Sequence, residues 1–233
     1  MKATVDQIRS YSFCPKLLEQ DGSLAVDYKS HDDFTRLVTY CFRRDLELET
    51  KLDFSTVDAR WKRIFFANHV TEPTQAEKKA YNRSVVAVNK FYRWYKDQSV
   101  SVLGINHNVS IPIYGHELVA TVPILLHEEN GISLVTTQPF SFDSSIRLDP
   151  AVRYVAMALA EEFKIVKICN LGLVDYKSFL VDEFIPTPRY WESSMMDFVG
   201  VMQSMHSSIT YPNTASCPAC PLRKTCEVLK GNA

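Results

Sequence analysis

The sequence predicts an α+β (α/β) fold, a central mixed sheet flanked by helices, from three observations. Apolar residues recur at helical spacing along most of the N-terminal part of the chain. Three segments rich in β-branched and apolar residues follow, separated by the turn sequences Tyr-Gly-His and Glu-Glu-Asn-Gly. The pattern then alternates between helix and strand, which indicates a sheet with both hairpins and a helical crossover.

Each element has a local signal. A first helix is expected to start within residues 4–20, and a second at Asp32, after which the following residues recur at helical spacing: Phe34, Leu37, Val38, Cys41, Phe42 and Leu46. Two more helices are predicted over 57–67 and 73–97, with Pro73 suited to a first helical turn. Strands are predicted over 101–113, 117–126 and 132–140 as a meander. The remaining elements are a helix over 150–163, strands over 164–173 and 178–184, and a helix over 191–206.

Composition limits the class of protein. A hydrophobic share of 46% and a charged share of 23% are ordinary for a globular domain. The net charge of −1 excludes a polycation, so any contact with nucleic acid must come from a local basic face. No signal region or membrane-spanning stretch is visible, and six cysteines are too few for a secreted disulfide scaffold. These observations predict a cytoplasmic protein without a membrane partner.

The chain is expected to be a single domain over residues 1–233. Residues 1–98 form its mainly helical part, 99–185 the sheet core with one helix, and 186–233 the last helix and a cysteine loop.

Four cysteines near the two ends form the sharpest motif. Cys217, Cys220 and Cys226 form a Cys-x2-Cys-x5-Cys cluster, and Cys14 lies in Tyr-Ser-Phe-Cys-Pro-Lys. One loop with these spacings can supply three thiolates, and a distant fourth can close the site. This donor set suits an iron–sulfur cluster or a zinc ion. The alternative is four unrelated cysteines, buried or in disulfides.

The order of elements, bracketed by these cysteines, resembles the RecB-like branch of the PD-(D/E)XK nuclease superfamily. It is most similar to the iron–sulfur members, the CRISPR-adaptation exonucleases and AddB-type nuclease domains. The resemblance implies a restriction-endonuclease-like sheet and a 4Fe–4S cluster whose loop closes on the N-terminus, with these ligands: Cys14, Cys217, Cys220 and Cys226. Cys41 and Cys169 match no ligand position and are expected to be buried structural thiols.

The catalytic positions of that superfamily hold other residues here. The family has an aspartate on the second meander strand, an Asp/Glu-x-Lys on the third and a Gln-x-x-x-Tyr on the next helix. The aligned positions in this chain are Thr121 or a neighbour, Thr136 and Gln138, and Pro150 and Tyr154. Thr39 and Tyr40 lie where the family often has a histidine. Hydroxyls and amides bind hard divalent cations poorly, so the sequence predicts a nuclease fold without nuclease activity.

A second string resembles the family's third motif. Val-Asp-Tyr-Lys-Ser contains Asp175 and Lys177, but it follows the helix instead of preceding it. An active site there would need other carboxylates brought in by the fold, namely Asp143, Asp182 or Glu183. The alternative is an exposed turn between two strands.

The helix predicted over 73–97 offers a basic face. Lys79, Arg83, Lys90 and Arg93 share one side of it, and this stripe could follow a phosphate backbone while Tyr92 or Trp94 stacks on a base. Further cations would extend the surface: Arg36, Arg43, Arg44, Arg60, Lys62, Arg63, Arg223 and Lys224. The alternative is an ordinary solvated face of an amphipathic helix.

These features predict an inactive iron–sulfur nuclease-fold protein that binds DNA or serves as a subunit of a replication, recombination or transcription assembly. The resemblance also implies a bacteriophage origin, and so a host cytoplasm. One alternative is an active metal-dependent DNA exonuclease with relocated catalytic residues. Another is a protein-interaction subunit without affinity for DNA.

Overall fold

In the computed structural model, six strands form one mixed sheet with helices on both faces, which confirms the predicted fold class. The structure describes residues 2–4, 7–8, 11, 29–67, 72–98, 100–113, 115–137, 150–160 and 162–206. The strands are β1 (Lys2–Thr4), β2 (Ser101–Ile113), β3 (His116–Glu128), β4 (Gly131–Thr136), β5 (Ile165–Val174) and β6 (Ser178–Phe184). The helices of these residues are α1 (Lys29–Leu48), α2 (Phe54–Phe65), α3 (Gln75–Asp97), α4 (Pro150–Ala160) and α5 (Pro188–His206).

Strand β3 pairs with three other strands of the sheet. Antiparallel β2 pairs along its whole length, from His116 to His127. On the other edge, parallel β1 pairs with residues 117–119 and antiparallel β4 with residues 124–128. The sheet then continues through β5, parallel to β4, to antiparallel β6. The helical crossover between β4 and β5 contains α4, as a parallel connection requires.

Alternate residues of β3 point to one core before Pro123 and to the other core after it. Leu118 and Val122 belong to one buried cluster, whereas Ile124 and Leu126 belong to another. The change occurs around Pro123, and Asn106 of the neighbouring strand adopts a left-handed φ of 52° between the residues paired with Val122 and Ile124. Such irregularity re-aims side chains, so one strand contributes to both cores.

Each face of the sheet has its own hydrophobic core. Helices α4 and α5 cover one face through residues such as Leu159, Phe198 and Met202, and the N-terminal Ala3 and Ile8 join the same core. Helices α1, α2 and α3 cover the other face with larger side chains, which include Phe34, Phe42, Trp61, Phe91 and Tyr95. The arrangement is a helix–sheet–helix sandwich.

Several element boundaries differ from those predicted. Helix α3 begins at Gln75 instead of Pro73, because Thr74 is its N-cap and forms a capping box with Glu77. In this helix Ala80 is exposed, whereas Ser84, Val88, Phe91 and Tyr95 are buried. The short parallel strand β1 was not predicted, because three residues carry no alternation pattern.

Among the described residues, no helix combines the length and the apolar character that crossing a bilayer requires.

Candidate functional site

The carboxyl end of β4 meets the first turns of α1, beside the middle of the parallel strand β5. Three polar residues are buried there: Thr136 (3% exposed), Thr137 (6%) and Asn170 (3%). Thr136 and Asn170 are paired across β4 and β5. Such strand ends are where open α/β sheets bind ligands, so this is the natural place for a site.

Helix α1 reaches this strand end through a hydroxyl chain. The Thr35 hydroxyl donates to Oγ1 of Thr137 at 3.0 Å, and Nε2 of His31 lies 3.5 Å from the Thr35 oxygen. We name the group His31, Thr35, Thr136, Thr137 and Asn170 the carboxyl-end cluster. All its members are neutral or weakly basic. The described positions thus combine hydroxyls, an amide and an imidazole.

His31 corrects one sequence prediction. The helix was expected to start at Asp32 and to contain no histidine, but α1 starts at Lys29 and holds His31 in its first turn. The apolar periodicity begins only at Phe34, so the polar first turn gave no signal in the pattern. Thr39 and Tyr40, the positions considered instead, are half-buried farther along the helix.

The structure places the other predicted catalytic positions as follows. Thr121 lies at the same end of the β3–β4 hairpin as Thr136, but its hydroxyl donates to Oδ1 of Asn108 at 2.8 Å. Tyr154 is buried against Phe198, with ring centroids 5.6 Å apart, and burial raises its pKa to about 12. Pro150 is the first residue of α4, and Gln138 lies outside the described residues.

No group of three or more His, Cys, Asp and Glu side chains converges as a metal site within the described part of the chain. Asp175 and Lys177 are both exposed on the β5–β6 turn. Asp182 of β6 is paired with Asn170 of the carboxyl-end cluster, and Glu183 accepts a hydrogen bond from the Trp94 indole. Asp143 lies outside the described residues. The described carboxylates considered for an active site around Asp175 and Lys177 are therefore spread along the β5–β6 hairpin.

Asp33 is a buried acid beside the cluster. It is 5% exposed, its Oδ2 accepts the Tyr176 hydroxyl at 2.8 Å, and its Oδ1 lies 3.9 Å from the Arg36 guanidinium. Burial raises the pKa of Asp33, although the bond from Tyr176 and the nearby cations act in the opposite direction. Tyr176 has a left-handed φ of 56°, which is uncommon for a bulky residue.

The predicted basic stripe is exposed. Lys79, Arg83, Lys90 and Arg93 all face solvent on α3, and none forms an ion pair with another described residue. Val86, 60% exposed, lies between them on the same side of the helix. A charged face without local counter-charges is available to an anionic partner.

The aromatic residues expected to serve this stripe are engaged elsewhere. The Tyr92 ring packs against Phe54 at 5.2 Å, and the Trp94 indole nitrogen donates to Glu183 at 3.2 Å. Neither ring is therefore placed to stack on a base at the stripe, which corrects that part of the prediction.

The other named cations differ in their surroundings. Arg44 is paired with Glu47 at 2.6 Å, and the Arg60 guanidinium lies 4.8 Å from the Tyr40 ring centroid. Arg43, Lys62 and Arg63 are exposed. Arg223 and Lys224 lie outside the described residues.

The cysteines fall into two groups. Cys41 and Cys169 are buried free thiols, as expected, and burial raises the pKa of both. Raised thiol pKa values disfavour the thiolate that metal binding requires. The four proposed ligands lie outside the described residues: Cys14, Cys217, Cys220 and Cys226.

Comparison with known proteins supports the fold. No family model and no curated protein matches this chain. Among solved structures, it is similar to a "putative exonuclease" from Eubacterium rectale, with a TM-score of 0.50 and 9% identity over 99% of this chain and 87% of the other. A second structure, SSO0001, has a TM-score of 0.40 and 9% identity over 97% of this chain and 85% of its own. The first likeness supports a nuclease-like fold, and at this identity it bears on the fold alone.

Asp33→Asn is expected to remove one pH dependence of stability. Because the folded-state pKa of Asp33 is raised above its ordinary value of 3.8, the folded protein binds this proton more tightly than the unfolded chain. The free energy of unfolding therefore falls as pH rises from 3.8 through the raised pKa. Asparagine cannot ionise, yet its carbonyl can still accept the Tyr176 hydroxyl. Urea unfolding at a series of pH values measures the slope.

Tyr176→Phe is the companion variant. It removes a hydrogen bond that lowers the pKa of Asp33, so the pH window should widen upward. Equal slopes in wild type, Asp33→Asn and Tyr176→Phe would show that Asp33 does not titrate as its burial implies.

Proposed function

We propose that this chain is a nuclease-fold protein that binds DNA and does not cut it at the carboxyl end of its sheet. One observation carries the proposal. The end of β4 presents the buried hydroxyls of Thr136 and Thr137, and the latter is hydrogen-bonded to Thr35 of α1. The strand end that the nuclease resemblance assigns to catalysis is instead part of a packed polar contact.

Metal-dependent phosphodiester hydrolysis needs carboxylates that hold Mg²⁺ or Mn²⁺ and a group that positions the attacking water. Neutral hydroxyls at Thr121 and Thr136 supply neither a negative charge nor a base at neutral pH. The described hydrogen-bond partners of Thr137 and Thr121 are the hydroxyl of Thr35 and the amide of Asn108, not carboxylates. The side chains present therefore favour a binding role over hydrolysis.

The basic stripe supplies the DNA-binding face. Lys79 and Arg93 are fourteen residues apart, which on an α-helix is about 21 Å. The phosphates of one strand of B-DNA recur about every 3.4 Å along the helix axis, so the stripe spans several of them. Because the net charge is only −1, the protein must attract DNA through this local basic face. Salt screens that attraction, so the affinity should fall as the salt concentration rises.

The iron–sulfur cluster is the proposed cofactor, with Cys14, Cys217, Cys220 and Cys226 as ligands. Their thiolates form the donor set that such clusters take. Ile8 and Met202, on the two segments that lead to these cysteines, belong to one buried core. Ile8 and Met202 thus lie on the same face of the sheet. Cys217 follows His206 by eleven residues, a reach of up to about 36 Å.

The DNA-binding face is tested by removing its charges. A variant with alanine at Lys79, Arg83, Lys90 and Arg93 should bind a labelled duplex more weakly in fluorescence anisotropy. The slope of log affinity against log salt should become shallower by about 0.9 for each phosphate that the variant no longer neutralises. The matched control replaces four other exposed cations by alanine: Lys29, Lys96, Lys164 and Arg189. Equal losses of affinity in the two variants would contradict a local binding face.

The cofactor is tested by metal analysis. Protein purified without oxygen should be brown and contain iron, because thiolate-bound iron absorbs visible light. Cys217→Ser should lose the iron and lower the melting temperature, whereas Cys41→Ser should keep the iron. Stoichiometric zinc without iron would contradict the iron assignment, and an unchanged melting temperature in Cys217→Ser would contradict a structural role.

A further inference from the structure

A groove of about 690 Å³ opens between the end of α2 and the start of α3. Its described lining combines three cations with two aromatic rings, an amide and a proline: Lys62, Arg63, Lys78, Phe66, Tyr81, Asn82 and Pro73. This volume lies within the range of about 300–1,000 Å³ that is typical of small-ligand sites. No carboxylate is among the described lining residues.

Favourable interactions with the helix dipoles do not account for all three cations of this groove. Lys62 and Arg63 lie in the last turn of α2, where cations interact favourably with the helix dipole. Lys78 lies near the first turn of α3, where the same dipole disfavours a cation. All three are exposed, and none is ion-paired within the described ranges. Two helices therefore direct positive charge to one groove, which favours an anion.

The aromatic wall of the groove is held in place. The Phe66 and Tyr81 ring centroids are 5.3 Å apart, and Phe65 packs against both. The Tyr81 hydroxyl donates to Oδ1 of Asp58 at 2.9 Å, which fixes the tilt of its ring. Rigid rings beside cations are typical of sites for single-stranded nucleic acid, because an unpaired base has free faces to stack.

The groove continues into neighbouring basic surface. Arg63 also borders a second cavity of about 400 Å³, where Arg60 lies over the Tyr40 ring. On the other side, Lys78 adjoins Lys79, the first residue of the basic stripe. A strand that follows the stripe along α3 would therefore reach the groove at the N-terminal end of this helix.

We propose that this groove binds a nucleotide of single-stranded DNA, with a phosphate on the cations and the base against Phe66 and Tyr81. The inference rests on the proposed DNA binding and adds the form of DNA that is recognised. The stripe contacts phosphates of either form, whereas the groove accepts only an unpaired base. The protein should therefore prefer single strands to duplexes of the same length.

The test measures anisotropy of a labelled oligothymidylate and of a labelled duplex of equal length. The variant with alanine at Lys62, Arg63 and Lys78 should bind the single strand about tenfold more weakly or worse, with its salt slope shallower by about 0.7 for each phosphate left without its cation. Duplex affinity should not change. Phe66→Leu keeps the charges and should lower single-strand affinity alone. Lys96→Ala, on the same side of α3 as Lys78 but about 27 Å along the helix, is the control.

The outcomes separate the two proposals. Wild-type protein that binds neither probe overturns DNA binding and the groove together. Wild-type protein that binds DNA, with a groove variant that matches it on both probes, overturns the groove alone. Equal losses of affinity on both probes show a second phosphate surface and overturn recognition of an unpaired base. Circular dichroism and melting curves of each variant establish that the exposed substitutions leave the fold intact.

Discussion

The pairing of β3 along both of its edges is the constraint on which the rest of the structure depends. One edge belongs wholly to β2, and the other is divided between β1 and β4. Because the buried side of β3 changes around Pro123, the same strand supports the core under α4 and α5 and the core under α1 to α3. A slip of one residue would turn both sets of side chains toward the wrong face. The register therefore also fixes where β4 ends and which residues meet α1.

That strand end is the region in which fold and function come together. Strand β4 ends opposite Asn170 of the parallel strand β5, and α1 meets this end of β4 through the hydroxyls of Thr35 and Thr137. Tyr176, on the β5–β6 turn, joins this region to the helical layer, since its hydroxyl donates to Asp33 and its ring lies 5.1 Å from that of Phe65. Phe65 in turn packs on the aromatic wall of the groove. Asp33 of α1 is thus linked through Tyr176 and Phe65 to the aromatic wall of the groove.

The sequence predicted the sheet with helices on its faces and the exposure of the stripe, because both depend on local periodicity. The stripe residues are three or four positions, or multiples of a turn, apart, so one helix is enough to align them. It missed β1 and the first turn of α1, where few apolar residues mark the element. The contact between Thr35 and Thr137 joins residues about a hundred positions apart, and the groove depends on how α2 packs against α3. Tyr92 and Trp94 were assigned to DNA because their tertiary partners, Phe54 and Glu183, cannot be seen in the sequence.

The most direct test of a protein that binds DNA without cutting it combines both properties in one sample. Iron-replete protein is incubated with labelled single-stranded and duplex DNA and with Mg²⁺ or Mn²⁺, at concentrations where anisotropy shows the DNA to be bound. The bound DNA is then separated on a denaturing gel. The account predicts full-length DNA at all times. Metal-dependent cleavage that disappears in Asp175→Ala or Lys177→Ala would contradict it, and would place an active site on the β5–β6 turn.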